Sequence, residues 1–426
     1  MKRIQSLRAG LFIVAMAMLS GLATYGNVLN SNSEHILSVT AITEVFGDGQ
    51  KVTAVAVEFD KQIRNSALSR AGFSVTGRTI TKVYANPILA KGSEGVDGNY
   101  VIIELAVADK EAAVFSHHGF KFTNAQKKIA IKQLTPVITV EDEKYTPDPG
   151  PIENDRQINL VVDDFKQLEY NDPQTGKLLK YNLFIPKNYD RRKTYPMVLF
   201  IHDAGVTSAE TKTTLIQGLG AVIWATPSEQ AKHECFVLAP QYDGIMVNDQ
   251  SEASNDLDIV VNLIADLESR YTIDKNRLYT TGQSMGCMSS IALNIKYPDL
   301  FTASLLVAGQ WDPAKVPVMA KDNLWIIVSE GDLKAFPGMN AITETLEKAG
   351  AKISRATWSG LYTPVEFKTE VDKMVAEGNN VNYSVLKKGT VVPAGMRDDG
   401  GSNHICTWRI AYTIEGVRDW LFTQKR

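Results

Sequence analysis

From residue 35 to about 142, apolar positions alternate with polar ones or run in β-branched stretches. LSVTAITEVF, VTAVAVEFD, FSVTGRTITKVYA, NYVIIELAVA and KKIAIKQL each read as a strand. Gly47-Asp48-Gly49 and the stretch from Gly92 to Gly98 separate them as turns. No sustained 3.6-residue pattern interrupts them. Roughly seven short strands in about a hundred residues predict a β-sandwich over 35–142. The proline-rich YTPDPGP that follows, from Tyr145 to Pro151, places an interdomain linker within 143–155.

After residue 155 the pattern changes. INLVVDDFKQLEY and LLKYNLFIP flank NDPQTGK and predict a hairpin. PMVLFIH, CFVLAP, NRLYTT, ASLLVAG and LWIIVSEGD read as buried strands, and helices alternate with them. NDLDIVVNLIADLESRY carries the stripe Leu257, Val260, Val261, Ile264 and Leu267. MGCMSSIALNIKYP is helical until Pro298, and MNAITETLEKAG until Gly350. This alternation predicts an α/β fold over 156–426, a mostly parallel sheet with helices on both faces.

The first residues follow neither pattern. MKRIQSLR is basic, and the uncharged AGLFIVAMAMLSGLA is short for a membrane span. Residues 1–26 are expected to be a signal peptide cleaved near Ala23 to Gly26, with an uncleaved anchor as the alternative. The mature protein is then secreted or periplasmic. Removing Lys2, Arg3 and Arg8 leaves 42 basic residues against 48 acidic ones, so net charge moves from −3 to −6. That balance gives no electrostatic reason to bind nucleic acid. Three cysteines are too few for a disulfide scaffold. His117-His118 has no clustered ligands beside it and reads as a surface turn rather than a metal site.

The candidate chemistry begins at TTGQSMGC. Gly282-Gln283-Ser284-Met285-Gly286 is a G-x-S-x-G turn between the strand NRLYTT and a helix. Such a turn lifts a serine hydroxyl above the carboxyl end of the sheet, so Ser284 is the candidate nucleophile. A serine needs a base. Of six histidines only His404 follows Ser284, in GGSNHICTW, read as a loop before a C-terminal helix. The acid should end a strand between the two. Asp332 closes LWIIVSEGD and is preferred to Asp312, one strand earlier, with Glu330 adjacent. The oxyanion donors should be the amide of Met285 and one from the loop His202-Asp203-Ala204-Gly205, namely Ala204 or a direct neighbour. There Asp203 should point away from the oxyanion, and His202 should be structural.

Taken together, YNLFIPKNYD, YPMVLFIHDAG, FVLAPQ, IDKNRLYTTGQSMG, YPDLFTASLLVAG, NHICTW and the closing DWLF resemble the α/β-hydrolase superfamily. More narrowly, they are similar to its secreted esterases often labelled predicted peptidases. The resemblance covers roughly 160–426. It implies an α/β-hydrolase fold acting through Ser284, Asp332 and His404 without metal or organic cofactor. Some members carry an N-terminal Ig-like domain, which agrees with 35–142. Three departures stand out: His202-Asp203-Ala204-Gly205 where H-G-x-G is common, Cys287 where glycine is common, and the long 351–380 segment, whose ISRATWSGLYTPVEFKTEVDKMVAEG looks like an added helix with a place in the substrate wall as one expectation. If the three site residues assemble, Cys287 and Cys406 approach each other. A disulfide between them is then one expectation and two buried thiols the other. Tyr242, Trp311 and Trp358 are candidates for a substrate pocket, with core packing as the alternative. The function expected is hydrolysis of a small-molecule or polymer-borne ester through an acyl-enzyme. A peptidase with the same residues and a non-catalytic surface-binding protein are the alternatives. No stable membrane insertion is expected after cleavage, and the Ig-like domain offers a surface for homo-oligomer formation.

Overall fold

The alternating segments of the first half pair edge to edge into a β-sandwich. The computed structural model describes residues 34–118, 121–125 and 127–426, so the expected signal peptide lies outside the described residues. Its strands are β1 (Ile36–Phe46), β2 (Gly49–Ile63), β3 (Phe73–Val75), β4 (Ile80–Asn86), β5 (Gly98–Leu105), β6 (Phe115–His118), β7 (Lys121–Asn124), β8 (Ala130–Gln133), β9 (Val137–Ile138), β10 (Lys144–Tyr145), β11 (Ile152–Glu153) and β12 (Arg156–Asn159). One sheet has the order β12-β1-β2-β5-β4, and a second has β11-β8-β3. The period of two decides what each face buries. Val39, Ala41, Val55 and Val57 join Val101, Ile103, Phe73 and Ile131 in the main core. Ile42, Ala54, Ala56 and Ile102 form a smaller cluster of their own.

The expected linker is only partly a linker. β12 pairs in parallel with β1, Thr40 opposite Arg156, and β11 pairs with β8. Asp155 Oδ1 accepts from the Val39 amide at 2.8 Å. The first domain therefore extends to Asn159, because β1 and β8 would otherwise present unpaired edges. His117 and His118 close strand β6 rather than forming a turn.

The β6–β7 hairpin reaches the second domain. Phe115 is 1% exposed, stacks on Phe122 at 5.4 Å between ring centroids and belongs to the second domain's core. β7 packs against the turn at Ala204–Val206. Gly47, in the β1–β2 turn, lies so close to Arg409 that a Cβ would meet its Cα at 3.0 Å.

The second domain contains β13 (Lys166–Asn171), β14 (Leu178–Phe184), β15 (Tyr195–Ile201), β16 (Phe236–Gln241), β17 (Ile273–Gln283), β18 (Ala303–Val307), β19 (Asn323–Ser329), β20 (Ile353–Trp358) and β21 (Val381–Leu386). Their order is β13-β14-β16-β15-β17-β18-β19-β21-β20. β13 and β14 form the expected antiparallel hairpin, and from β16 to β20 neighbouring strands are parallel. The helices are α1 (Thr213–Ile216), α2 (Leu219–Val222), α3 (Pro227–Lys232), α4 (Ile259–Arg270), α5 (Met285–Lys296), α6 (Ala335–Lys348), α7 (Pro364–Ala376), α8 (Gly400–Ala411) and α9 (Glu415–Thr423). Apolar residues of α4, α5 and α6 fill one core layer, and those of α1, α2, α7, α8 and α9 fill the other. Adjacent residues of β17 show the division, with Leu278 in the first layer and Tyr279 in the second.

Two readings need correction. Residues 351–380 hold the edge strand β20 before α7, whose start is fixed by a capping box between Thr363 and Glu366. α7 packs on β20 and α9. β20 lies four strand spacings, roughly 19 Å, from β17, so α7 covers the edge of the sheet rather than the Ser284 strand. The C-terminal helix is two helices, and His404 lies inside the first of them, not in a loop. The Asp399 carboxylate starts that helix early by accepting from the Ser402 amide at 2.8 Å.

Candidate active site

Ser284 stands between β17 and α5 with φ 53° and ψ −118°. A non-glycine residue there carries strain of about 1–3 kcal/mol, which the surroundings must hold. The Ser284 amide donates to the Val307 carbonyl at 3.0 Å, and the Ser284 carbonyl accepts from the Met288 amide at 3.0 Å. The flanking glycines are required by contact. A Cβ on Gly286 would lie 1.9 Å from the Ile201 carbonyl oxygen, and one on Gly282 would lie 2.4 Å from the Gly286 carbonyl carbon.

His404 Nε2 is 2.9 Å from Ser284 Oγ, and His404 Nδ1 is 2.5 Å from Asp332 Oδ2. Asp332 Oδ1 accepts from the amides of Lys334 at 3.0 Å and Ala335 at 2.9 Å. Burial pushes the Asp332 carboxyl up. The His404 hydrogen bond and charge, with those two amides, outweigh it and hold the group below the usual carboxylate range. Asn403, next to His404, accepts from Ser329 Oγ at 2.9 Å, which ties α8 to the end of β19. The rival acids are engaged elsewhere. Asp312 accepts from the Ala314 amide at 2.9 Å, and Glu330 accepts from the Lys388 amide at 3.0 Å.

The turn after β15 supplies the other donors. His202 is fully buried, and burial pushes its imidazole below the usual value, so the ring is neutral. Its Nδ1–H donates to the Asp203 carbonyl at 2.8 Å, and its Nε2 accepts from the Tyr242 amide at 3.0 Å. The Gly205 amide donates to Asp203 Oδ1, and the Val206 amide to the Asp203 carbonyl. That leaves the Ala204 N–H as the donor of this turn without an acceptor among the described residues. The Met285 N–H, in the first turn of α5, likewise has no acceptor within its own helix.

The remaining candidates are placed differently. Tyr242 and Trp311 are 4% and 6% exposed and pack in the layer beneath α4 and α5, with Tyr242 5.7 Å from the His202 ring. Trp358 is fully buried between Trp325 and Phe367 in the opposite layer, at the far edge of the sheet, and is a core residue. Cys287 and Cys406 are free. They lie in different layers with the sheet between them, Cys287 against Gly309 and Cys406 near Met396, so no bridge forms. Sequence reading missed the ties made by Gln283, Asn403 and Ser329. The signal available was a polar residue at the buried end of a strand or beside a site residue.

Among the described residues, Glu229, His233 and Asp419 come within 4.8 Å of one another. Arg418 donates twice to Glu229 Oε2 at 3.0 Å, and Lys232 lies 4.0 Å from Asp419. Two cations already supply the positive charge, and the cluster fastens α3 to α9.

A sheet of this order with a strained serine after a central parallel strand, and acid and histidine following in chain order, defines an α/β-hydrolase. Residues 38–146 match the family described as "Esterase Ig-like N-terminal domain", and residues 173–403 match the one described as "Putative esterase". The chain belongs to this esterase family and is a carboxylesterase-type hydrolase with an Ig-like N-terminal domain. A crystal structure of a thermostable esterase is 29% identical, with TM-score 0.78, covering 92% of this chain and 100% of that one. A feruloyl esterase module from Clostridium thermocellum, complexed with sinapinate, is 15% identical with TM-score 0.38, covering 59% of this chain and 88% of that one. No curated protein matches the chain.

Proposed function

We propose that this protein is an exported serine carboxylesterase in which Ser284 is the nucleophile, His404 the general base and Asp332 the orienting acid. The carrying observation is the unbroken hydrogen-bonded run from Ser284 Oγ through both His404 nitrogens to Asp332. His404 Nε2 takes the Ser284 proton as Oγ attacks the ester carbonyl carbon. The tetrahedral oxyanion is met by the N–H groups of Met285 and Ala204. Protonated at Nε2, His404 returns that proton to the leaving alkoxide, and the alcohol departs from an acyl-enzyme. Water then gives a proton to His404 Nε2 and attacks the acyl carbon; the carbon–Oγ bond breaks, Ser284 Oγ takes the proton back from His404, and the acid leaves. The basic and apolar segment at residues 1–26 supports export.

The test is turnover of short-chain aryl esters and small peptides by wild type and Ser284→Ala. Ester hydrolysis is expected, with a loss of about 10⁴-fold or more in the variant. Ester turnover that survives Ser284→Ala overturns the mechanism, and wild-type turnover of peptides alone overturns the substrate class.

A further inference from the structure

Gln283 and Asp203 join the two turns that the reaction needs in register. Gln283 is the last residue of β17, directly before Ser284, and Asp203 directly precedes Ala204. Gln283 Nε2 donates to Asp203 Oδ2 at 2.9 Å and to Gln217 Oε1 at 3.1 Å. The other carboxylate oxygen, Oδ1, accepts from the Gly205 amide at 2.8 Å. Asp203, Gln217 and Gln283 are all buried.

A carboxylate is a costly choice at this position. Burying a charge without an opposite charge is unfavourable, and no ion pair to Asp203 forms among the described residues. A serine or asparagine would cap the short turn about as well. What the carboxylate adds is two acceptors and no donor. One oxygen takes the Gly205 amide and the other takes Gln283, and hydrogen bonds to an ionised acceptor are the strong kind. An asparagine that kept the Gly205 bond would turn its NH₂ toward the NH₂ of Gln283, and a flip of the Gln283 amide to avoid this would take its Nε2 away from both of its acceptors.

We propose that Asp203 is a positioning residue for ester hydrolysis. Through Gln283 its carboxylate holds the Ala204 N–H in register with the Met285 N–H, so that both meet the oxyanion. This rests on the reading of Ser284 as nucleophile. The oxyanion exists in the transition state and intermediate and not in the bound ester, so loss of register falls on kcat and spares KM.

The experiment compares wild type, Asp203→Asn and the reciprocal pair Asp203→Asn with Gln283→Glu. In the pair, the introduced amide donates to the introduced carboxylate. Gln217, whose Nε2 has no hydrogen-bond partner, turns its own amide to donate to the second oxygen. Asp203→Asn is expected to lower kcat on an aryl ester by about 10- to 100-fold with KM within about twofold. Affinity for an alkylboronic acid, which forms a tetrahedral adduct on serine, falls with kcat. The reciprocal pair recovers most of both. A folded Asp203→Asn with wild-type kcat overturns the proposal, as does a loss that the pair leaves unrecovered. If Asp203→Asn does not fold, Gln283→Met cuts the tie and keeps the cap, and unchanged kcat in that variant overturns it equally. Ser284→Ala run alongside separates the two readings. Boronate binding and turnover that persist there defeat the nucleophile assignment, whereas their loss there leaves it standing whatever the Asp203 variants do.

Discussion

Asp332 and His404 lie 72 residues apart in sequence and 2.5 Å apart at Oδ2 and Nδ1. An ionised carboxylate only accepts, so this contact puts the imidazole proton on Nδ1 and turns the Nε2 lone pair toward Ser284. Asp332→Asn keeps an oxygen for the amides of Lys334 and Ala335 but can present a donor to Nδ1, which reverses the tautomer. We expect kcat to fall about 10³- to 10⁴-fold with the fold retained. Asp312→Asn, which touches only the cap at Ala314, should leave kcat within about twofold. Steady-state kinetics on an aryl ester distinguishes the two acids.

Ala204→Pro removes one N–H and little else. Ala204 opens a short 3₁₀ turn, and Asp203 before it is extended, with φ −76° and ψ 167°. Proline is tolerated at the first position of such a turn and after an extended residue. The variant should melt near the wild-type temperature and lose about 10²- to 10³-fold in kcat. Wild-type kcat in the folded variant would assign the second oxyanion donor elsewhere.

The cysteines should behave as three reduced thiols. All are buried, and burial pushes the thiols of Cys235, Cys287 and Cys406 up. Titration with a chromogenic disulfide reagent should find little reaction in the native protein and three thiols in denaturant, with or without prior reductant. One thiol in unreduced denatured protein would mean a bridge that the structure does not contain.

Asp322 sets a pH dependence of stability. Burial, and then the charge of Asp299, raise its carboxyl to about 7, opposed by Arg426, and its Oδ2 has no hydrogen-bond partner. The folded value exceeds the ordinary 3.8, so the folded state holds this proton more tightly than the unfolded chain. Its contribution is complete at pH below the unfolded value and is lost as pH rises through about 7. Asp322→Asn should remove that decline and make the protein more stable by about 4 kcal/mol at pH 8. Urea unfolding of both proteins at pH 5 and pH 8 measures it.

Much of this was legible in the chain because its periods are physical. Period two in LSVTAITEVF gave β1, and Val260, Ile264 and Leu267 of the expected stripe lie on the buried face of α4, whereas Leu257 is in the 3₁₀ turn before it and Val261 is half-buried. Ser284 was legible because its turn admits only glycine at two places, and His404 because no other histidine follows it. What failed were features set by tertiary pairing. Residues 152–155 look like linker, and 156–159 like the start of the second domain, until β8 and β1 offer edges to them. GGSNHICTW looks like loop until Asp399 caps it. Cys287 and Cys406 sit near site residues in sequence, but α5 and α8 carry them to opposite sides of the sheet.

Phe115 gives folding a direction. It is made about fifty residues before the first strand of the domain whose core it enters. A chain emerging from its N-terminus can complete the sandwich, and the β6–β7 hairpin on it, while the larger sheet is still being synthesised. The finished sandwich then presents a pre-shaped apolar plug to a later, unfinished layer. The finished molecule thus has one core layer built from both domains, so neither can come away without uncovering apolar surface on the other.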